Sequence, residues 1–267
     1  MKNSIPQRRR CARGFTLVEL LVVISIIAIL ASLLIPTVAK AKVKAQVAKA
    51  RVEINTIEAA ISSYHTHYNR YPSSRQARAA LNDANPDFTF GTLHVFDADG
   101  TPALLRDKRG NNLLEVKNIA ENSWQASNAE VVGILRAFSK IGVQDSYANK
   151  DNVQNPEKID FLNAKTVSGV QASGIGDDAV YRDPWGNPYI ITVDLNYDGR
   201  CLDGFYRQSA VSQLSGNSGY HGLYQAAGSD SFAAKTPIMI WSFGPDGAAN
   251  PQVKADKGVN RDNILSW

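Results

Sequence analysis

The sequence predicts an α+β chain: a long N-terminal helix, membrane-spanning in its first part, packed on an antiparallel sheet head with an enlarged middle insertion. Three observations carry that expectation. An apolar run, Leu20–Ile35, is broken only by Ser25 and Ser32, and no charge stands between Glu19 and Lys40. After it, Val43, Val47, Ala50, Ile54, Ile57, Ile61, Tyr64 and Tyr68 recur in alternating steps of four and three residues, the spacing of an apolar helix seam. From Val180 the pattern changes to short apolar stretches divided by Asp, Asn, Pro and Gly, which reads as strands and turns.

A short basic leader, residues 1–14, comes first. From Phe15 to Ile35, at about 1.5 Å per residue, a helix covers ~31 Å, enough for a hydrocarbon layer of roughly 30 Å. Glu19 is the odd residue there, because an ionisable group inside a spanning segment is costly unless it finds a partner. Cutting the chain after Gly14 would give Phe15 a free α-ammonium close to Glu19. Within one helix the two groups lie about a turn apart. Between staggered helices the amine of one subunit reaches Glu19 of its neighbour, which makes the pair a register device. Thr16-x-x-Glu19 also has the form of a capping box.

Gly14-Phe15-Thr16-Leu17-Val18-Glu19, the short cationic leader and Pro36 partway along the helix resemble the class III signal of type IV pilins and type II secretion pseudopilins. That resemblance implies cleavage between Gly14 and Phe15 by a prepilin peptidase, N-methylation of Phe15, and packing of the mature helices into a filament. It also implies an orientation in the inner membrane, with the leader cytoplasmic and the head periplasmic. The divisions are then a leader, 1–14, an N-terminal helix, 15–70, with its assembly segment at 15–35, and a periplasmic head, 71–267.

Charge narrows the function further. The chain is +4, but Lys2, Arg8, Arg9, Arg10 and Arg13 lie in the leader, so the remainder is −1. Bulk charge therefore gives no support to nucleic-acid binding. Lys40, Lys42, Lys44, Lys49 and Arg51 follow the apolar run; they read as a solvated helix face or as a contact to anionic lipid headgroups. Cys11 leaves with the leader, and Cys201 has no partner for a disulfide.

The remaining elements follow in order. Pro36 should kink or locally extend the helix, which Tyr71-Pro72 should end after some 50 residues, roughly 80 Å. Ser73–Asn82 reads as a short Ser-capped helix and Asn128–Ile141 as a second, stopped by Gly142. Phe88–Val116 reads as strands and loops, Lys158–Leu162 as a strand, and Ser168–Asp177 as a loop. Asp183-Pro184-Trp185-Gly186 has the residues of a type I turn. Tyr189–Val193 and Thr236–Ser242 read as strands, and Gln213–Ser231 as a loop.

The tail carries a second resemblance. Asp183-Pro184-Trp185-Gly186-Asn187-Pro188-Tyr189, Ser242-Phe243-Gly244-Pro245-Asp246-Gly247 and Asp262-Asn263-Ile264-Leu265-Ser266-Trp267 are similar to the major pseudopilin family of type II secretion. Residues 82–176 are longer than that family's usual head. The family's C-terminal loop binds calcium, and Asp246 and Asp262 fall on the matching positions. Calcium suits such a loop because it takes several hard oxygen ligands in a flexible geometry, although Lys254, Lys257 and Arg261 share the loop. A weaker calcium candidate is Asp194-x-Asn196-x-Asp198-Gly199, the first half of an EF-hand loop. Phe205 stands where its bidentate Glu belongs, with Asp203 as a substitute, and an Asp-Gly hairpin turn explains the stretch as well.

His65 and His67 lie about 200° apart on a helix and so cannot share one ion. No nucleophile elbow, phosphate loop or Cys/His cluster occurs, so no enzymatic activity is expected. The function that follows is a structural subunit of a type II secretion pseudopilus, assembled with other pilin-like subunits on an inner-membrane platform to drive protein export. Alternatives are a subunit of a type IV or competence pilus, or a membrane-tethered binding domain with a pilin-like anchor.

Overall fold

The structure, a computed structural model, describes residues 15–92, 125–141, 144–145, 148–169, 172–225 and 229–267. The chain divides into two compact units at Ala45/Gln46. Helix α1, Leu17–Tyr68, runs through both and continues through Pro36 without the extended segment expected there. Proline removes one backbone donor, but the turns on either side hold: Thr37 Oγ1 donates to Leu33 O at 3.0 Å and Ser32 Oγ to Ile29 O at 2.7 Å. The helix stops where Asn69 enters the left-handed region, φ 52°, its N–H still bonded to His65 O at 2.7 Å. Asparagine tolerates that conformation.

Within the second unit the seam of α1 is buried as its spacing predicted. Ala50, Ile54, Ile57, Ala60, Ile61 and Tyr64 are covered, Val47 and Tyr68 partly, and Val43 stays exposed. Helix α2, Arg75–Ala79, follows with Ser74 as its cap, Oγ accepting from Ala77 N at 2.9 Å. Strand β1, Phe88–Phe90, joins the main sheet. Strand β2, Gln125–Ala126, runs parallel to it, so the sheet is antiparallel except at this edge.

Helix α3, Ala129–Leu135, is shorter than expected. Ala137 takes φ 54° and Phe138 N donates back to Gly133 O at 2.7 Å, closing the helix six residues before Ile141. A left-handed C-terminal residue is usually glycine, so alanine there gave no warning. Strand β3, Lys140–Ile141, follows instead and pairs with β4, Gln144–Asp145.

The expected strand at Lys158–Leu162 is absent. Asn155 accounts for this: its side chain donates to Ile159 O at 2.7 Å and accepts from Ile159 N at 3.0 Å, which occupies both backbone groups a strand would use. The same stretch anchors the insertion on α1. Tyr64 Oη donates to Gln154 O at 2.5 Å, Tyr68 Oη to Asn155 Oδ1 at 2.9 Å, and Phe161 stands edge-on to both rings.

Strands β5, Gly174–Ile175, and β6, Tyr181–Arg182, form a small hairpin. Strand β7, Ile190–Val193, lies at the centre of the main sheet. Helix α4, Ser209–Ser212, leads into the region expected to be a loop. That region is a second, four-stranded sheet of β8, Gln213–Ser215, β9, Ser218–Gly219, β10, Tyr224–Gln225, and β11, Phe232–Ala233. Strands β12, Ile238–Ser242, and β13, Ile264–Leu265, complete the main sheet in the order β13-β12-β7-β1-β2.

Both faces of that sheet are covered. Ile191, Val193, Ile238 and Ile240 point to the core shared with α1 and α3. Ile190, Met239 and Trp241 point to a second core with Cys201, Phe205, Tyr206, Phe232 and Phe243. Burial on both faces is why β7 and β12 read as continuous apolar runs rather than alternating ones.

Candidate functional site

The first site is the start of α1. Every large apolar side chain from Phe15 to Val38 is exposed. A helix apolar on all sides is stable only when something else covers it, and this one is long and apolar enough to cross a membrane. Thr16 and Glu19 form the reciprocal capping box. Glu19 Oε2 accepts from Thr16 N and Thr16 Oγ1, each at 2.8 Å, while Glu19 N donates to Thr16 Oγ1 at 3.2 Å. Glu19 is exposed, and its Oε1 makes no hydrogen bond among the described residues. Phe15 is exposed beside it, and Gly14, the other half of the expected cleavage site, lies outside the described residues.

The second site is where the tail motifs meet. Asp183 is buried; its Oδ2 accepts from Ser242 Oγ at 2.6 Å, and its Oδ1 accepts from Trp185 N and Asn187 N at 2.9 Å each. Burial pushes its carboxyl up to about 6, against those hydrogen bonds. The Asp183–Tyr189 turn and the Ser242–Gly247 turn thus touch through one carboxylate. At Gly244, φ 70°, a Cβ would stand 2.2 Å from Asp262 O, so only glycine lets the two ends of the C-terminal loop approach.

Asp246 and Asp262 meet at the neck of that loop. Asp246 N donates to Asp262 Oδ2 at 3.3 Å, and burial, followed by the facing Asp262 charge, pushes the Asp246 carboxyl up against its bond from Ala248 N. Next to them, Asn263 donates to Tyr206 Oη at 2.9 Å, and its Oδ1 is buried without a hydrogen-bond partner. The loop's lysines turn elsewhere: Lys254 Nζ donates to Ser209 O at 2.9 Å and Lys257 pairs with Asp256 at 3.4 Å. Two carboxylates that meet at the neck, with a spare amide oxygen on the next residue, are hard donors of the kind calcium takes. The loop body has its own brace. Buried Asn260 accepts from Asn250 N at 2.8 Å and donates to Asn250 O at 2.8 Å and Val253 O at 2.7 Å.

The Asp194 stretch is used differently. Asp194 accepts from Tyr197 N at 2.6 Å, Asp198 N at 3.3 Å and Gly199 N at 2.8 Å, and Asn196 Oδ1 accepts from Asp198 N at 3.3 Å. Arg200 bonds Asp198 Oδ2 at 2.6 Å and holds the Asp198 carboxyl below its usual range. Asp203 is turned inward, bonded to Thr192, Trp241 and two backbone amides. These carboxylates serve a turn, an arginine and the core. No group of three or more His, Cys, Asp or Glu is placed to hold a metal among the described residues. His65 instead stacks on Tyr71 and His67 pairs with Glu157.

Sequence reasoning missed three amide side chains that hold these parts. Asn260 braces the C-terminal loop. Asn155 ties down the insertion. Asn128, fully buried, accepts from Tyr181 N and donates to the carbonyls of Tyr181 and Tyr189. An isolated asparagine carries no spacing signal, so none of the three could be singled out.

Comparison with known proteins bears on the first of these sites. Residues 9–35 match the prokaryotic N-terminal methylation motif, and residues 37–92 match the family of type II secretion system protein G. The type II secretion system core protein G of Pectobacterium carotovorum is 44% identical over 80 residues, 30% of this chain and 51% of that protein. The Aeromonas hydrophila protein of the same name is 45% identical over 75 residues, and that of Escherichia coli 42% over 72 residues, covering 28% and 27% of this chain and 52% and 50% of theirs. The chain thus spans about half the length of these relatives. No solved structure matches it. Over residues 9–92, then, the chain matches a prepilin-type N-terminal motif followed directly by a segment similar to protein G of type II secretion.

Proposed function

We propose that the chain is a structural subunit of a type II secretion pseudopilus. A prepilin peptidase cuts it between Gly14 and Phe15 and methylates Phe15. The subunit sits in the inner membrane with its head periplasmic and is drawn from there into a filament of pilin-like subunits. The observation that carries this reading is the contrast along α1: an uncovered apolar half up to Val38, and a half buried on its own head from Ala50 onward. The uncovered half needs lipid before assembly and other helices after it. Glu19 then receives the Phe15 ammonium of a neighbouring subunit, with Oε1 available while Oε2 closes the capping box. Glu19→Ala tests this. It should be processed at the normal rate yet give few filaments; normal filaments would remove Glu19 from the assembly step.

The Asp246/Asp262 neck supports a calcium site whose function is to close the C-terminal loop. Asp246 and Asp262 would hold the ion, which would offset the repulsion between their two carboxylates. The enlarged middle, anchored through Gln154, Asn155 and Phe161, gives the head a surface beyond that of the relatives it resembles.

A further inference from the structure

We propose that Lys40, Lys42 and Lys44 form a cationic collar that binds anionic phospholipid headgroups on the head side of the membrane; this rests on the membrane reading of α1 given above. The collar lies wholly within the first unit of the chain. All three lysines are exposed, and none has an ion-pair or hydrogen-bond partner among the described residues. No acidic residue stands between Glu19 and Glu53, so nothing on the helix neutralises them.

Their placement suits a plane of headgroups. At about 100° per residue, Lys40 and Lys44 lie ~40° apart and Lys42 about 200° from Lys40, so the charges surround the helix instead of lining one face. They occupy ~6 Å of axis just beyond the apolar run, the depth at which lysine stems reach from hydrocarbon to headgroup. Lys49 is different, because it pairs with Glu53 at 3.6 Å and donates to Ser173 at 2.9 Å. Charge complementarity therefore singles out lipid as the occupant of the first three positions.

The collar also gives leader removal an electrostatic consequence. Before cleavage the apolar run is flanked by five leader cations on one side and by Lys40, Lys42, Lys44, Lys49 and Arg51 on the other. After cleavage the leader side keeps a single cation, the Phe15 ammonium, against five on the head side, so headgroup attraction holds the helix mainly from the head side. Extraction toward the head then works against the collar but no longer against the leader.

Photo-crosslinking tests this locally. The full chain carrying p-benzoylphenylalanine in place of Ala41 is reconstituted into vesicles of equimolar phosphatidylglycerol and phosphatidylcholine, and its lipid adducts are identified by mass spectrometry. Phosphatidylglycerol adducts should exceed phosphatidylcholine adducts several-fold. High salt and the K40Q/K42Q/K44Q variant should each bring the ratio back to that of the bulk lipid. A bulk ratio in the unsubstituted collar overturns the proposal, and so do adducts to a second copy of the chain in place of lipid. A chain that fails to float with vesicles of either lipid overturns the membrane reading itself.

Discussion

Buried carboxylates do much of the holding in the head, and Asp87 is one that burial pushes up close to neutrality. It is buried, with Oδ2 accepting from Leu202 N at 2.7 Å and Oδ1 unpartnered. Burial, with added repulsion from Asp194 and Asp198, pushes its carboxyl up to about 7 from 3.8, against the pull of the Leu202 amide. A carboxyl raised on folding binds its proton more tightly in the native state, so native stability falls as pH rises between those two values. Urea denaturation of the full chain in detergent should show that decline, and Asp87→Asn should flatten it. An unchanged slope in the variant would assign the decline to another group. Asp183 follows the same sign with a narrower window, ending at about 6.

At the scale of elements, α1 is one helix in two environments. Ile57 is fully buried, and Ile57→Ala should cost the head about 2–5 kcal/mol of stability, as buried large-to-small changes do, read from the denaturation midpoint. Leu30 is exposed, so Leu30→Ala should leave that midpoint unchanged while weakening filament formation. The C-terminal loop offers a parallel contrast. Calcium should raise the melting temperature of the unsubstituted chain, and Asp246→Asn should abolish the rise without unfolding the loop, since Asn260 still braces its body.

This is also the scale at which sequence and structure part company. The seam of α1, the Ser74 cap, the turn at Asp183 and strands β7 and β12 were legible because period, capping chemistry and turn residues are local signals. Helix α3 ends early because an alanine takes a conformation usually reserved for glycine. The strand expected near Ile159 is lost to a single amide side chain. The Gly- and Ser-rich stretch after Gln213 folds into strands only because Leu223 and Phe232 find a core made by residues far along the chain. Such contacts depend on the finished fold, and no short window of sequence contains them. At the sites the same division holds: the Thr16–Glu19 box is a spacing of three, whereas the partnership of Asp183 with Ser242 spans fifty-nine residues.

For the whole molecule, the two parts of the chain have separate requirements. Among the described residues, the head's main cores are buried without any other chain. The apolar start of α1 has no such cover and carries one carboxylate, so its stability depends on what surrounds it. Lipid can cover the apolar surface, but Glu19 calls for a cation, and the proposed proteolysis at Gly14 would create one. The most direct test is the intact mass of the protein isolated from cells that make the secretion filament. The expected result is a chain starting at methylated Phe15, recovered in assembled fibres. A chain that keeps residues 1–14 and is found only as a single membrane-bound copy would contradict it.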